Sequence, residues 1–298
     1  MRGKSKATLV ILDAAYEILD EIQPATVRAV CYQLFIRELI PDMSKGSTNK
    51  VSRHLRLARE EGFIPWHWIT DESREAERAN TWSSGAALIA ASVQQYRRDY
   101  WQHQPQRVEV WSEKGTIRGS IAPVLDEYGV TFRVMHGYAS ATVVNDIANM
   151  SRRDSRPLTA LYIGDHDPSG LHMSEYDLPR RLDDYGADLT LERIALTDSD
   201  LPGLPSFDPQ SKKTDPRFKW FQKHYPASKC YELDAMKPNL LRDRVAAAIL
   251  GRIDEARWSR AIEVEKVEVE SMREFHSQFR KVLSRKQIEA GLNLRGEV

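Results

Sequence analysis

Cysteine is nearly absent. The 298-residue chain has two, Cys31 and Cys230, which excludes a disulfide framework and a cysteine-built zinc site. A reducing, cytoplasmic setting is the default expectation. Net charge is absent as well, because 43 lysines and arginines meet 43 aspartates and glutamates. The simplest argument for a nucleic-acid partner, an overall basic character, is therefore missing, although the local distribution of charge counts for more than its sum. No run of about 18 apolar residues occurs, so no transmembrane helix is expected. The basic opening Met1-Arg2-Gly3-Lys4-Ser5-Lys6 leads to Asp13 and Glu17, not to the apolar stretch of a signal peptide. The G-x-x-x-x-G-K-[ST] loop of an ATPase is missing, as are internal repeats and low-complexity blocks. A hydrophobic fraction of 41% and a charged fraction of 29% are those of a globular protein with real cores. The length suffices for two domains at roughly 100–200 residues each.

Leu9, Leu12, Tyr16 and Leu19 recur at helical spacing and predict a helix over 6–22. Pro24 opens a second, with Thr26 near its first turn, running to about Ile40. Pro41-Asp42-Met43-Ser44-Lys45-Gly46 reads as a loop. Ser47 or Thr48 then caps a third helix, striped by Val51, Leu55 and Ala58 and ended by Gly62. The alternation in 63–69 reads as a short strand or ribbon. Three helices followed by a ribbon is the order of a winged helix-turn-helix, whose third helix enters the major groove. The segment from Lys45 to Arg59 contains five cations and no acid. Lys50, Arg53 and Arg56, with His54, lie on its exposed face and suit phosphate contact.

Residues 71–106 read as a mostly helical connector, with one helix over 86–100. The pattern then changes to strands alternating with helices. Strands are expected at 108–111, 130–135, 158–163 and 189–196, and helices at 117–128, 140–150 and 169–185. This order implies βαβ units and a parallel sheet. Residues 197–229 are proline-rich and irregular, and 231–253 are helical again. The segment 258–283 carries an apolar face at helical spacing, although its alternating 262–270 also fits a strand. The expected fold class is α/β. A winged helix-turn-helix over 1–80 and a connector over 81–106 precede a parallel-sheet domain over 107–253 and a C-terminal helical extension over 254–298.

Ligands of a parallel sheet sit beyond the carboxyl ends of its strands. Glu113 falls just past the first of them. Asp165 and Asp167 fall just past the third, in Gly164-Asp165-His166-Asp167-Pro168-Ser169-Gly170. Three converging carboxylates are unstable unless protonated or filled by a cation, and all-oxygen ligands suit Mg²⁺, with Mn²⁺ an alternative. Lys114 and Arg118 are near enough in sequence to contact one phosphate. The bland alternative is that the two aspartates cap the next helix, with Pro168 at its first position. His166 reads as a turn residue and His136 as a strand-end residue, neither of them a ligand.

A glutamate ending a first strand and a D-x-D-P-x-G after a third resemble the Toprim domain. The chain more closely resembles the A subunit of type IIB DNA topoisomerases (topoisomerase VI) and its relatives that make meiotic double-strand breaks. That family places a winged helix before its Toprim domain. Its nucleophilic tyrosine lies in a T-x-R-x-x-Y-Y stretch, matched here by Thr26-Val27-Arg28-Ala29-Val30-Cys31-Tyr32, with cysteine in place of the first tyrosine. Residues 137–142, 193–197 and Glu232-Leu233-Asp234-Ala235-Met236 look like further family landmarks. The chain departs from the family in a short amino end and in the missing ATPase motif, so an ATPase B subunit is not an assured partner. It resembles more the minimal stand-alone relatives of plasmids, phages and bacterial genomes, and also the nuclease subunit of plasmid-defence SMC systems.

The resemblance implies Mg²⁺-dependent cleavage of double-stranded DNA by a homodimer, through a 5′-phosphotyrosyl link, with Tyr32 of one protomer facing the acids of the other. Tyr32 is the implied nucleophile, and Arg28, four residues before it on the same helical face, would hold the scissile phosphate and favour the phenolate. Tyr32 lies off the apolar stripe of its helix, Val27, Val30, Cys31 and Leu34. Two alternatives stand beside this reading. Water could attack at the same metal site, giving a plain nuclease, or the chain could be a non-catalytic DNA-binding module.

Overall fold

Leu12, Ala15, Ile18, Leu19 and Ile22 keep helical spacing, and α1 (Lys6–Ile22) buries all five. The structure is a computed structural model that describes residues 5–70, 81–135 and 141–289. It divides into two units, one of Met1–Arg74 with Pro105–Arg252 and the other of Glu75–Gln104 with Ile253–Val298.

In the first unit, α1 is followed by β1 (Ala25–Thr26), α2 (Val27–Ile36) and α3 (Lys45–Glu60). Thr26 is a working N-cap, its Oγ1 accepting the Ala29 N–H at 3.1 Å. The second helix is shorter than its sequence predicts: it stops at Ile36, and Glu38 turns through a positive φ of 57°. Ser44, not Ser47 or Thr48, caps α3 and accepts the Ser47 N–H at 3.3 Å. The expected ribbon at 63–69 is a 3₁₀ turn, Trp66–Trp68, followed by the two-residue β2 (Ile69–Thr70). β2 pairs parallel with β1, not antiparallel as one arm of a hairpin. Packing overrides the alternation here, because Tyr16 of α1 lies against both Phe63 and Trp68 at 5.3 and 5.0 Å.

The parallel sheet forms as expected, in the order β4-β3-β5-β6. Its strands are β3 (Arg107–Ser112), β4 (Thr131–Val134), β5 (Leu158–Ile163) and β6 (Leu189–Ala195). Every residue of β5 is buried, as a strand with both faces covered requires. Trp111, Ala160 and Tyr162 share one core with Val144 and Ile147 of α6 (Ala141–Arg153) and with Leu178 and Leu182 of α8 (Leu178–Asp184). α7 (Pro168–His172) leads into α8 through a π-helical turn, Met173–Asp177. On the far side, α5 (Arg118–Tyr128) packs against α10 (Pro238–Leu250). Gly129, at φ 60°, ends α5 where its sequence predicts. Between β6 and α10 the chain is irregular apart from 3₁₀ turns and α9 (Phe218–His224).

Arg242 of α10 joins the first three helices to the sheet. Its guanidinium donates to the carbonyls of Ile22, Gln23 and Pro24, which end α1, and to Ser120 of α5, at 3.0–3.2 Å. The N-terminal helices therefore belong to the same unit as the sheet.

The second unit pairs α4 (Gly85–Gln95) with α11 (Glu255–Glu289), so the segments that read as connector and C-terminal extension are each other's packing partners. The two run antiparallel. Gly85 lies by Phe279, Tyr96 donates to Glu268 at 2.7 Å, and Trp258 meets the rings of Tyr100 and Trp101. The strand alternative for 262–270 is excluded, since that stretch is continuous helix. Residues 71–80 and 136–140, with His136 and most of the 137–142 landmark, lie outside the described residues.

Candidate active site

Register brings the acidic residues to one edge. Ser112 of β3 is level with Ile163 of β5, so Glu113 and the Gly164–Asp165 turn leave adjacent strands side by side. The turn is held by Arg193 of β6, which donates to the carbonyls of Gly164 and Asp165 at 2.8 and 2.5 Å and to Ser174 at 2.7 Å. Gly170 is needed for closeness alone: a Cβ there would lie 2.4 Å from the Asp165 carbonyl oxygen.

Asp165 is buried and accepts the Leu233 N–H and the Lys114 ammonium, both at 2.8 Å. Burial raises its pKa against the pull of Lys114. Asp167 does what the bland reading asks. It caps α7 by accepting the Gly170 N–H at 2.8 Å, while its other oxygen meets Lys212 at 3.2 Å. Glu113 has no hydrogen bond or ion pair with another described residue. Burial, then the charges of Asp165 and Asp167, push its carboxyl from the ordinary 4.5 up to about 7. His166 is structural, its main chain bridged to Tyr231 and its Nε2 2.9 Å from Ser228, and burial lowers its pKa to about 4.

Two acids that the sequence offered only as landmarks complete the cluster. The segment Glu232–Asp234 returns across the strand ends. Asp234 meets Lys114 at 3.1 Å and the Arg28 Nε at 3.5 Å. Glu232 forms a close ion pair with Arg28, which also donates through Nε at 2.9 Å, and Lys114 lies 4.0 Å away. The sequence marked this segment only through the landmark Glu232-Leu233-Asp234-Ala235-Met236, and nothing in its spacing placed the two acids at the strand ends.

Tyr32 is only 4% exposed, although it lies off the apolar stripe of α2. Arg28 stands over its ring at 5.6 Å, and the Glu232 carboxylate that Arg28 holds lies close enough for its charge to act on the phenol. Burial and then Glu232 raise the phenol's pKa, with Arg28 opposing them. Burial works to protonate Glu232, but the hydrogen bond from Arg28 and the charge of Lys114 outweigh it and lower its pKa. One contiguous network therefore runs from Tyr32 through Arg28, Glu232, Asp234 and Lys114 to Asp165.

Lys114 spends its ammonium on Asp165 and Asp234, a different role from the phosphate contact its sequence position suggests. Arg118 is exposed at the start of α5. Lys50, Arg53 and Arg56 are exposed on α3, away from its buried Val51, Leu55 and Ala58, with Arg56 also paired to Glu60 at 2.9 Å.

Among the described residues no three His, Cys, Asp or Glu side chains are grouped at metal-holding spacing. The donor chemistry nevertheless fits a hard cation. Glu113, Asp165, Asp167, Glu232 and Asp234 face Arg28, Lys114 and Lys212, while Arg193 is spent on carbonyls and Ser174. The carboxylates outnumber the cations, and the excess helps burial raise the Glu113 pKa.

No protein-family model matches the chain, and no curated protein or solved structure matches it.

Proposed function

We propose that the chain cleaves double-stranded DNA with the Tyr32 hydroxyl as nucleophile, in the manner of a type IIB topoisomerase A subunit. The observation that carries this is the network itself. Tyr32, an arginine–carboxylate pair and the strand-end acids are continuous although far apart in sequence. On this reading α1–α3 act as a winged-helix module, with Lys50, Arg53 and Arg56 of α3 on DNA phosphates.

A phenol held above its ordinary pKa does not ionise unaided near neutrality. Glu232 supplies the base: its carboxylate, held by Arg28, lies by the phenol and is kept ionised by Arg28 and Lys114. As the phenolic oxygen bonds to phosphorus, its proton passes to Glu232, the bond to the 3′-oxygen breaks, and that oxygen takes a proton from solvent. Arg28, charged over the ring, favours the developing phenolate and faces the phosphate. Mg²⁺, or Mn²⁺, would be held by Glu113 and Asp165, with Asp167 behind them, and would supply charge stabilisation to the phosphate. Lys114, paired with Asp165 in this structure, would have to give up that oxygen to the ion. Two copies acting on opposite strands make a double-strand break.

The burial of Tyr32 favours one other reading, hydrolysis by water at the same acids. Supercoiled plasmid incubated with Mg²⁺ or Mn²⁺ and quenched with detergent separates the two. Protein-linked breaks lost in Tyr32→Phe and in Asp165→Asn are the expected result. Free ends that survive Tyr32→Phe and vanish in Asp165→Asn assign the reaction to water. DNA binding without cleavage under any metal would make the chain a binding module.

A further inference from the structure

Four aromatic side chains meet on the surface of the first unit. His172 ends α7, Tyr176 lies in the π-helical turn, and Trp220 and His224 stand one turn apart on α9. Trp220 stacks on His224 with centroids 4.5 Å apart, and His172 meets it edge-on at 5.0 Å. Tyr176 lies 5.0 Å from His172 and 6.4 Å from Trp220. Contiguous rings of this kind usually fill a core. Here Tyr176 is 45% exposed, His224 is exposed, and Trp220 is partly so.

Lys219 and Lys223 run along α9 beside the Trp220–His224 row, since successive helical positions are about 100° apart. Both are exposed, and neither is in an ion pair among the described residues. The acids flanking the rings in sequence are already engaged. Glu175 accepts the Tyr225 hydroxyl at 2.5 Å, Asp177 meets Arg181 at 3.3 Å, and Asp215 meets Arg217 at 3.6 Å. Glu175 keeps its charge, since a phenol does not neutralise it, but two unpaired lysines against one acid leave the π faces bordered by net positive charge.

We propose that this patch binds single-stranded DNA, with unpaired bases stacked on Tyr176 and on His224, which Trp220 backs, and the backbone phosphates held by Lys219 and Lys223. Rings and cations in alternation are what a sequence-tolerant single-strand site needs, because every base has a π face and every nucleotide a phosphate. A duplex hides its base faces within its own stack. An apolar protein partner would have to bury two ammonium groups without a counter-charge. The site lies outside the cluster assigned to cleavage and does not rest on that assignment.

The test is fluorescence anisotropy with a labelled oligo(dT) strand and the full chain carrying Asp165→Asn, in EDTA, so that no cleavage intervenes. Removing one stacking ring costs roughly tenfold in affinity. Tyr176→Ala and His224→Ala, both at exposed positions, are expected to show such losses with unchanged melting. Trp220 also packs against the buried Leu171, Phe221 and Cys230. Trp220→Ala is therefore paired with Trp220→Phe, which keeps a ring and retains most of the binding. Lys219→Gln with Lys223→Gln should flatten the slope of log K against log salt by about 1.4, at roughly 0.7 per single-strand phosphate contact. No binding of oligo(dT), or binding that the tyrosine and lysine changes leave intact, overturns the proposal. Equal competition by a duplex of the same length overturns it as well, because that is phosphate attraction without stacking.

Discussion

Glu113 is the side chain least at ease in this fold. It is half-buried beside two aspartates, without a hydrogen bond or ion pair to another described residue, and its carboxyl is pushed from 4.5 up to about 7. The sign of the consequence is fixed. Below about pH 4.5 the group is protonated folded or unfolded and costs nothing. Between pH 4.5 and 7 the unfolded chain ionises while the folded chain keeps its proton, so stability falls as pH rises. Above about pH 7 the penalty is complete, at about 3 kcal/mol. Glu113→Gln removes it. Urea denaturation in EDTA should show equal stability for variant and wild type near pH 4, with the variant ahead by about 3 kcal/mol at pH 8. Parallel curves across that range would mean that Glu113 does not feel the two aspartates.

At the scale of elements, the turn from β5 into α7 is the part most tightly specified. Arg193 fixes its carbonyls, Asp167 caps α7, and Gly170 lets the helix approach the Asp165 backbone. Gly170→Ala forces a Cβ to 2.4 Å from a main-chain oxygen that cannot swing aside. The expected cost is at least 1–3 kcal/mol, roughly that of overpacking a filled site, read as a lower urea midpoint. Ser169→Ala, in the same turn, is the control and should stay within about 0.5 kcal/mol. An unshifted midpoint for Gly170→Ala would mean that the loop yields freely. This turn was legible because β5 is a six-residue run, all apolar but Thr159, bounded by a glycine, and α7 opens on Asp-Pro, so composition and cap agree. The ribbon expected at 63–69 was not, because its alternation is satisfied by Phe63 and Trp68 packing on Tyr16 and not by a strand partner. Glu232 and Asp234 had no periodicity to announce them. Their place is set by isolated bridges, His166 to Tyr231 and Phe207 to Cys230, which no local pattern encodes. Tyr32 looked off the stripe of α2 for the same reason: what covers it comes from more than two hundred residues on in the sequence.

At the scale of the whole molecule, the question is whether one chain holds a complete site. The resembled family sets the tyrosine of one protomer against the acids of the other. Here Tyr32 lies under Arg28, which holds Glu232 of the same chain, and Lys114 carries the connection on to Asp165. Arg242 ties the end of α1 to α5, holding the helical segment against the sheet within one unit. The two arrangements predict different outcomes when two inactive variants are mixed. With sites shared between subunits, a hybrid of Tyr32→Phe and Asp165→Asn contains one intact composite site. Random pairing would then restore about a quarter of wild-type strand cuts, as nicks, since half the dimers are hybrids with one of two sites alive. With each site built from a single chain, every site in the mixture lacks either its nucleophile or its acid. The expected result, after co-refolding and assay on supercoiled plasmid with Mg²⁺, is no nicking above that of the separate variants. Recovery of nicks would show that Tyr32 leaves Arg28 and crosses to a second copy before it reacts. The same-chain contact with Arg28 would then be a resting one that DNA binding must break.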